Sequence, residues 1–225
     1  AGSDTIVVGN GTNTVLGDEG RLEVLSETTV IESMNAAVGG ADIISIGSGK
    51  NVVIGGAGSD KITVNGTASD AQATVLGDNG RLTLGNDGVL LNATSNNFAS
   101  GALDEITLTS GTNTVIGGAG ADTINAGGGR NIVMGDEGQA EFFTNGSVRS
   151  IESINLGTGE DDQITLSAGS NTVIAGAGSD TIVVGNGTNT ILGDEGRLEV
   201  LSETTVIESM NAAIGGADVI SIGSG

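Results

Sequence analysis

Apolar residues in this chain recur on a beat of nine. Residues 99–134 show it most plainly, as ASGALDEIT, LTSGTNTVI, GGAGADTIN and AGGGRNIVM. The eighth position is aliphatic each time: Ile106, Val115, Ile124 and Val133. The sixth alternates through Asp104, Asn113, Asp122 and Asn131. This pattern predicts a Gly-rich turn followed by a short strand with one inward aliphatic. Glycine supplies the backbone angles that the turn needs, and side chains alternate across a strand. Two nonapeptides then make one 18-residue coil, with Asp turns stacked on one side and Asn turns on the other, at about 4.8 Å per coil. One nonapeptide cannot bury its aliphatic alone, so the stack supplies the burial. The expected fold is all-β: a parallel β-solenoid of β-roll type, continuous as a single rod through residues 1–225.

Longer repeats overlie the short beat. Gly2–Gly49 returns as Gly178–Gly225 with three changes in 48 positions: Val15 to Ile191, Val38 to Ile214 and Ile43 to Val219. Each swaps one β-branched aliphatic for the other, as expected of buried strand positions. The 176-residue super-repeat divides into units 2–57, 58–119 and 120–177, with 178–225 a truncated fourth. One stretch of each unit leaves the beat. It begins at Gly20, Gly80 or Gly138, carries two apolar runs around LSET, GNDG or TNGS, and rejoins at Gly40, Ala102 or Glu160. We read it as a third, wider coil, which gives three coils per unit of ~58 residues and roughly 43 Å for the nine coils of a super-repeat. A protruding hairpin is the other reading. The chain starts and stops in mid-repeat without a polar cap. It is therefore expected to be a window on a longer array, with ends that pair.

Composition narrows the chemistry. There are 41 glycines, three phenylalanines, and no proline, cysteine, histidine, tryptophan or tyrosine. Without His and Cys, the usual zinc, haem, copper and thiol chemistries lose their ligands and nucleophiles. Carboxylate, amide and hydroxyl oxygens remain, which suit a hard cation such as Ca2+. The net charge of −21, with seven scattered basic residues, argues against nucleic acid, which needs clustered Lys and Arg. No apolar run approaches membrane-spanning length. Near-identical repeats also argue against an enzyme, whose site would need one coil unlike the rest.

Gly55-Gly56-Ala57-Gly58-Ser59-Asp60-Lys61-Ile62-Thr63 and residues 117–125, GGAGADTIN, resemble the GGxGxDxUx nonapeptide of RTX (hemolysin-type) calcium-binding repeats. Residues 175–183 match except for Ala175. The match resembles the arrays of large secreted bacterial adhesins. The resemblance implies a parallel β-roll, calcium in the turns, and export to the exterior by a type I-like route. The candidate metal ligands are the pairs Asp42/Asp60, Asp104/Asp122 and Asp162/Asp180, with Asp18, Asp78, Asp136 and Asp194 in the GD[EN]G turns of the same side. The alternative is that these Asp cap turns through backbone N–H groups and need no metal.

The remaining positions allow several readings. The column Asn13, Asn51, Asn113, Asn131, Asn171 and Asn189 reads as a neutral side-chain ladder. The segments Thr12-Asn13-Thr14, Thr112-Asn113-Thr114 and Thr188-Asn189-Thr190 offer an ice- or surface-binding row instead. The ninth positions Leu16, Ile54, Ile116, Met134, Ile174 and Leu192 are either an outward stripe through which solenoids pair or the core of a wider section. The expected role is structural: an acidic, calcium-stiffened segment of an extracellular fibre or adhesin. Its expected partners are copies of itself, end to end or side by side, and cell-surface or matrix material.

Overall fold

The computed structural model describes residues 2–35, 37–67, 71–96, 102–211, 213 and 215–223. Ala99–Gly101, which open the nonapeptide at 99–107, lie outside them, as do Ile214 and Gly225. Strands β1 (Thr5–Val8) and β2 (Gly11–Leu16) form the first coil. β3 (Gly20–Val24) and β4 (Thr28–Ser33) follow as a hairpin. Two coils come next, β5 (Ile43–Ile46) with β6 (Gly49–Ile54) and β7 (Lys61–Val64) with β8 (Gln72–Leu76). A second hairpin joins β9 (Gly80–Gly85) and β10 (Leu90–Ser95). β11 (Glu105–Ile116) and β12 (Thr123–Met134) each run through both sides of a coil. A third hairpin, β13 (Gly138–Phe142) and β14 (Val148–Ser153), precedes the coils β15 (Gln163–Leu166) with β16 (Gly169–Ile174) and β17 (Thr181–Val184) with β18 (Gly187–Leu192). A fourth hairpin, β19 (Gly196–Val200) and β20 (Thr205–Ser209), leads to β21 (Val219–Ile222).

The coils stack in register as two parallel ladders. On the Asp side the order is β1-β5-β7-β11-β12-β15-β17-β21, and Ile44, Ile62, Ile106, Ile124, Ile164 and Ile182 fall on one line. On the Asn side Val53, Val75, Val115, Val133 and Val173 line up likewise. These eighth-position residues have no accessible surface. They form a narrow core between the ladders, with Ile46, Val64, Leu108, Leu166 and Val184 two residues further along the Asp-side strands.

The irregular stretch is not a wider coil. It is a hairpin, and the hairpins pair with one another antiparallel into one eight-stranded sheet, β20-β19-β14-β13-β10-β9-β4-β3. Each unit therefore holds two coils and one hairpin. The super-repeat contains six coils, not nine, and rises roughly 29 Å rather than 43 Å at the usual strand spacing. Strand spacing explains the proportion. A hairpin occupies two strand widths of its own sheet, and two coils occupy the same height of the roll. Only a two-to-one ratio keeps both sheets in step.

The hairpin sheet lies against the outer face of the Asn-side ladder. Between them is a second core of Ile54, Leu76, Ile116, Met134 and Ile174 from the ladder and Ile31, Leu82, Ala93, Ala140 and Ile151 from the hairpins. Both readings of the ninth positions are thereby corrected in part. They point out of the roll, as strand alternation demands, but the chain's own hairpins bury them. The same packing buries Thr114, while Thr12, Thr14, Thr112 and Thr188 of the Thr-Asn-Thr segments stay exposed. One further expectation fails. Of the three substitutions between repeats, only Val15/Ile191 lies at the core; Val38, Ile43 and Val219 are exposed.

Candidate metal centre

Every coil reaches its Asp-side strand through a turn that ends in Asp, and these residues stand directly above one another. The backbone N–H of each Asp donates to Oδ1 of the Asp in the next coil. Asp4 donates to Asp42, Asp42 to Asp60, and Asp60 to Asp104, all at 2.7 Å. Asp104 donates to Asp122 at 2.8 Å, Asp122 to Asp162 at 2.7 Å, Asp162 to Asp180 at 2.8 Å and Asp180 to Asp218 at 3.0 Å. The three pairs expected from the sequence are neighbours, but so are Asp60/Asp104 and Asp122/Asp162. The intervening residues loop out as a hairpin, so a separation of about 40 residues in the chain is one step in the stack.

Half of each carboxylate is thus a turn cap, and half is not. Oδ2 of Asp42, Asp60, Asp104, Asp122, Asp162 and Asp180 is buried without a hydrogen-bond partner. Oδ2 of Asp42, Asp60, Asp104, Asp122 and Asp162 each shares a gap with a backbone carbonyl, beside a turn glycine on which a β-carbon would be tightly crowded; at Asp180 the corresponding turn residue is Ala175. A β-carbon on Gly117 would stand 2.3 Å from both Asp122 Oδ2 and the Gly135 carbonyl. On Gly55 it would meet the Gly77 carbonyl at 2.2 Å and Asp60 Oδ2 at 2.4 Å, and on Gly77 it would meet Asp104 Oδ2 at 2.2 Å and the Gly117 carbonyl at 2.5 Å. Two acceptors face one gap with no donor between them, an arrangement that calls for a cation or a proton.

The GD[EN]G residues belong to a different column, which corrects the expectation that Asp78 stacks with Asp42 and Asp60. Asp18, Asp78 and Asp136 occupy the second position of the hairpin-bearing turns, level with Gly56, Gly118 and Gly176 in the coils between. They tie one turn to the next: Asp18 Oδ2 accepts from Ala57 N–H at 2.8 Å, Asp78 Oδ2 from Ala119 at 2.7 Å and Asp136 Oδ2 from Ala177 at 2.6 Å. Asp194 Oδ1 accepts from Gly216 N–H at 3.0 Å. The other oxygen of Asp18, Asp78 and Asp136 is buried without a partner, as is Oε2 of Glu137 and Glu195.

Burial and mutual repulsion set the protonation of these groups. Burial pushes the Asp104 carboxyl up to about 9, reinforced by the charges of Asp78 and Asp60. It pushes Asp136 to about 9 and Asp162 to about 8, with Asp162 and Asp180 their respective first repelling neighbours. Asp60, Asp78 and Asp180 rise to about 7, again chiefly through burial. Asp122, between Asp104 and Asp162, lies well above the ordinary carboxylate range. A stack of acids with raised pKa values either holds protons or is neutralised by cations.

The donors fit calcium. They are all oxygen, from carboxylates and from turn carbonyls. Among the described residues no three acidic side chains converge on one point, so carbonyls and solvent complete any shell. The Asn column is a separate device. Asn13 Nδ2 donates to Asn51 Oδ1 at 2.8 Å, Asn113 to Asn131 and Asn131 to Asn171 at 2.8 Å, and Asn171 to Asn189 at 2.9 Å. Ala73, aligned between Asn51 and Asn113, interrupts it. These side chains satisfy one another and need no ion.

Comparison with curated proteins and with solved structures found no match. A family model does match, in four copies at residues 1–21, 37–66, 108–139 and 156–197: the RTX calcium-binding nonapeptide repeat. The second hairpin lies wholly in a gap between copies, and the first, third and fourth copies run only two residues into β3, β13 and β19. Repeats of this family bind calcium and are typical of secreted bacterial proteins. Among the described residues no helix is long and apolar enough to cross a membrane. With more than half of its residues matched and an Asp-ended turn on every coil, the chain belongs to the RTX calcium-binding nonapeptide repeat family.

Proposed function

We propose that the chain is a structural rod, a segment of an extracellular bacterial fibre or adhesin, stiffened by calcium along its Asp side. The observation that carries this reading is the continuity of the column: from Asp42 to Asp180 each coil presents one buried carboxylate oxygen without a partner. The ligands are Oδ2 of Asp42, Asp60, Asp104, Asp122, Asp162 and Asp180, with the neighbouring turn carbonyls. The second column, Asp18, Asp78, Asp136 and Asp194, is a further set of ligands or a clasp between turns. Calcium there supplies positive charge, which relieves the repulsion of the stack and locks coil to coil. The role is non-enzymatic, export is type I-like, and copies associate with one another.

Thermal unfolding followed by far-UV circular dichroism, in calcium and then in a chelator, tests the proposal. A ligand that binds only the folded state must raise the midpoint. An unchanged midpoint would refute the calcium assignment. Electron microscopy of the native material addresses the fibre, and scattered monomers would exclude it.

A further inference from the structure

The chain carries seven cationic residues, and five of them are paired with acids. Arg21, Arg81, Arg149 and Arg197 make ion pairs on the hairpin sheet, and Lys61 pairs with Glu105 on the Asp side. The remaining two, Lys50 and Arg130, have no ion pair among the described residues, and both line one groove. Its floor is the Asn-side ladder and its overhang is the pair of hairpin turns after β9 and β13. It runs along the rod in two adjoining sections of about 300 and 230 Å³.

Strand register sets the floor. Lys50 aligns with Gln72, Gln72 with Thr112 and Thr112 with Arg130. The two cations therefore stand about 14 Å apart, three strand spacings, with an amide and a hydroxyl between them. Neither Gln72 nor Thr112 has a side-chain hydrogen bond among the described residues. The overhang contributes apolar surface from Leu90 and Phe142. In a chain with 28 acidic residues, Asp87 is the one acid lining the groove among the described residues, and its Oδ1 accepts the Val89 N–H at 3.0 Å.

We propose that this groove binds an extended acidic polysaccharide, laid along the rod axis. Its carboxylates pair with Lys50 and Arg130, its hydroxyls meet Gln72 and Thr112, and a sugar C–H face rests on Phe142 and Leu90. Sparse charge separated by hydroxyls matches two cations separated by neutral donors. A densely charged polyphosphate does not match, because the −21 charge of the protein repels it and the floor offers only two cations.

The test is titration calorimetry of the calcium-loaded chain with hyaluronan oligosaccharides, using dextran as the neutral sugar and poly-glutamate as the acidic peptide. Hyaluronan is expected to bind, and more weakly as salt rises. The double substitution Lys50→Gln with Arg130→Gln should lower its affinity by roughly tenfold or more per residue. Lys50 is exposed and Arg130 half-buried, and neither makes an ion pair among the described residues, so the melting midpoint should not move. Arg149→Gln, on the hairpin sheet, should leave binding unchanged. The proposal is overturned if dextran binds as well as hyaluronan, if the double variant keeps its affinity, or if poly-glutamate binds equally, which would reassign the groove to acidic peptides.

Discussion

Removing calcium should make this fold depend on acid. Asp104, Asp136 and Asp162 have folded pKa values of about 9, 9 and 8 against an ordinary value of 3.8. At neutral pH the folded chain keeps these protons while the unfolded chain has released them. The folded state then binds more protons, so stability is full below the unfolded value and is lost as pH rises toward the folded values. One pKa unit corresponds to about 1.36 kcal/mol, and the interval from 3.8 to neutrality is about three units. Each group therefore withdraws about 4 kcal/mol, and the three together on the order of 10 kcal/mol. A typical domain has only about 5–15 kcal/mol in total. The metal-free chain is expected to be folded near pH 4–5 and largely unfolded near pH 7.5, with calcium restoring the fold at neutral pH. Circular dichroism of decalcified protein across that range, with and without added calcium, measures it. Equal melting midpoints for the metal-free chain at both ends of the range would refute the reasoning, because the buried column would then carry its charge without cost.

Three further outcomes follow from the packing. Asn131→Ala breaks the side-chain ladder on both sides, stranding Asn113 and Asn171, and should cost about 3 kcal/mol in denaturant unfolding. Asn51→Ala should cost about half as much, because Ala73 already ends the ladder there. Gly117→Ala places a methyl group between Asp122 Oδ2 and the Gly135 carbonyl and should lower the calcium-induced rise in midpoint, whereas Gly9→Ala, with nothing within 4 Å, should not. Duplicating residues 117–134 inserts a third coil into one unit and pulls β10 from β13 by one strand spacing, about 4.8 Å. Exposed apolar surface, read by ANS fluorescence, should increase; an unchanged signal would show that the two sheets need not keep step.

The nine-residue beat by itself determined the roll. An aliphatic every nine residues, with glycine before it, can be buried only by stacking, so the two parallel ladders, the inward Ile and Val and the alternation of Asp and Asn turns were legible in the chain. So were the Asp that point into the turns, because each sits two residues before an inward aliphatic. The division of labour within each carboxylate was not legible. That Oδ1 of Asp122 takes the Asp104 N–H while Oδ2 faces a carbonyl follows from coils meeting in space. The path of residues 20–33 and its counterparts was also decided only by the tertiary structure. Two apolar runs around LSET suit a wide coil or a hairpin equally, since strand periodicity does not say which neighbour a strand will pair with. The ninth-position residues settle it. Leu16, Ile54, Ile116, Met134 and Ile174 leave the roll with an apolar outer face, and hairpins that pair with one another cover it over the whole length of the stack. Burial of that face, a property of many coils together and of no single repeat, selects the second sheet.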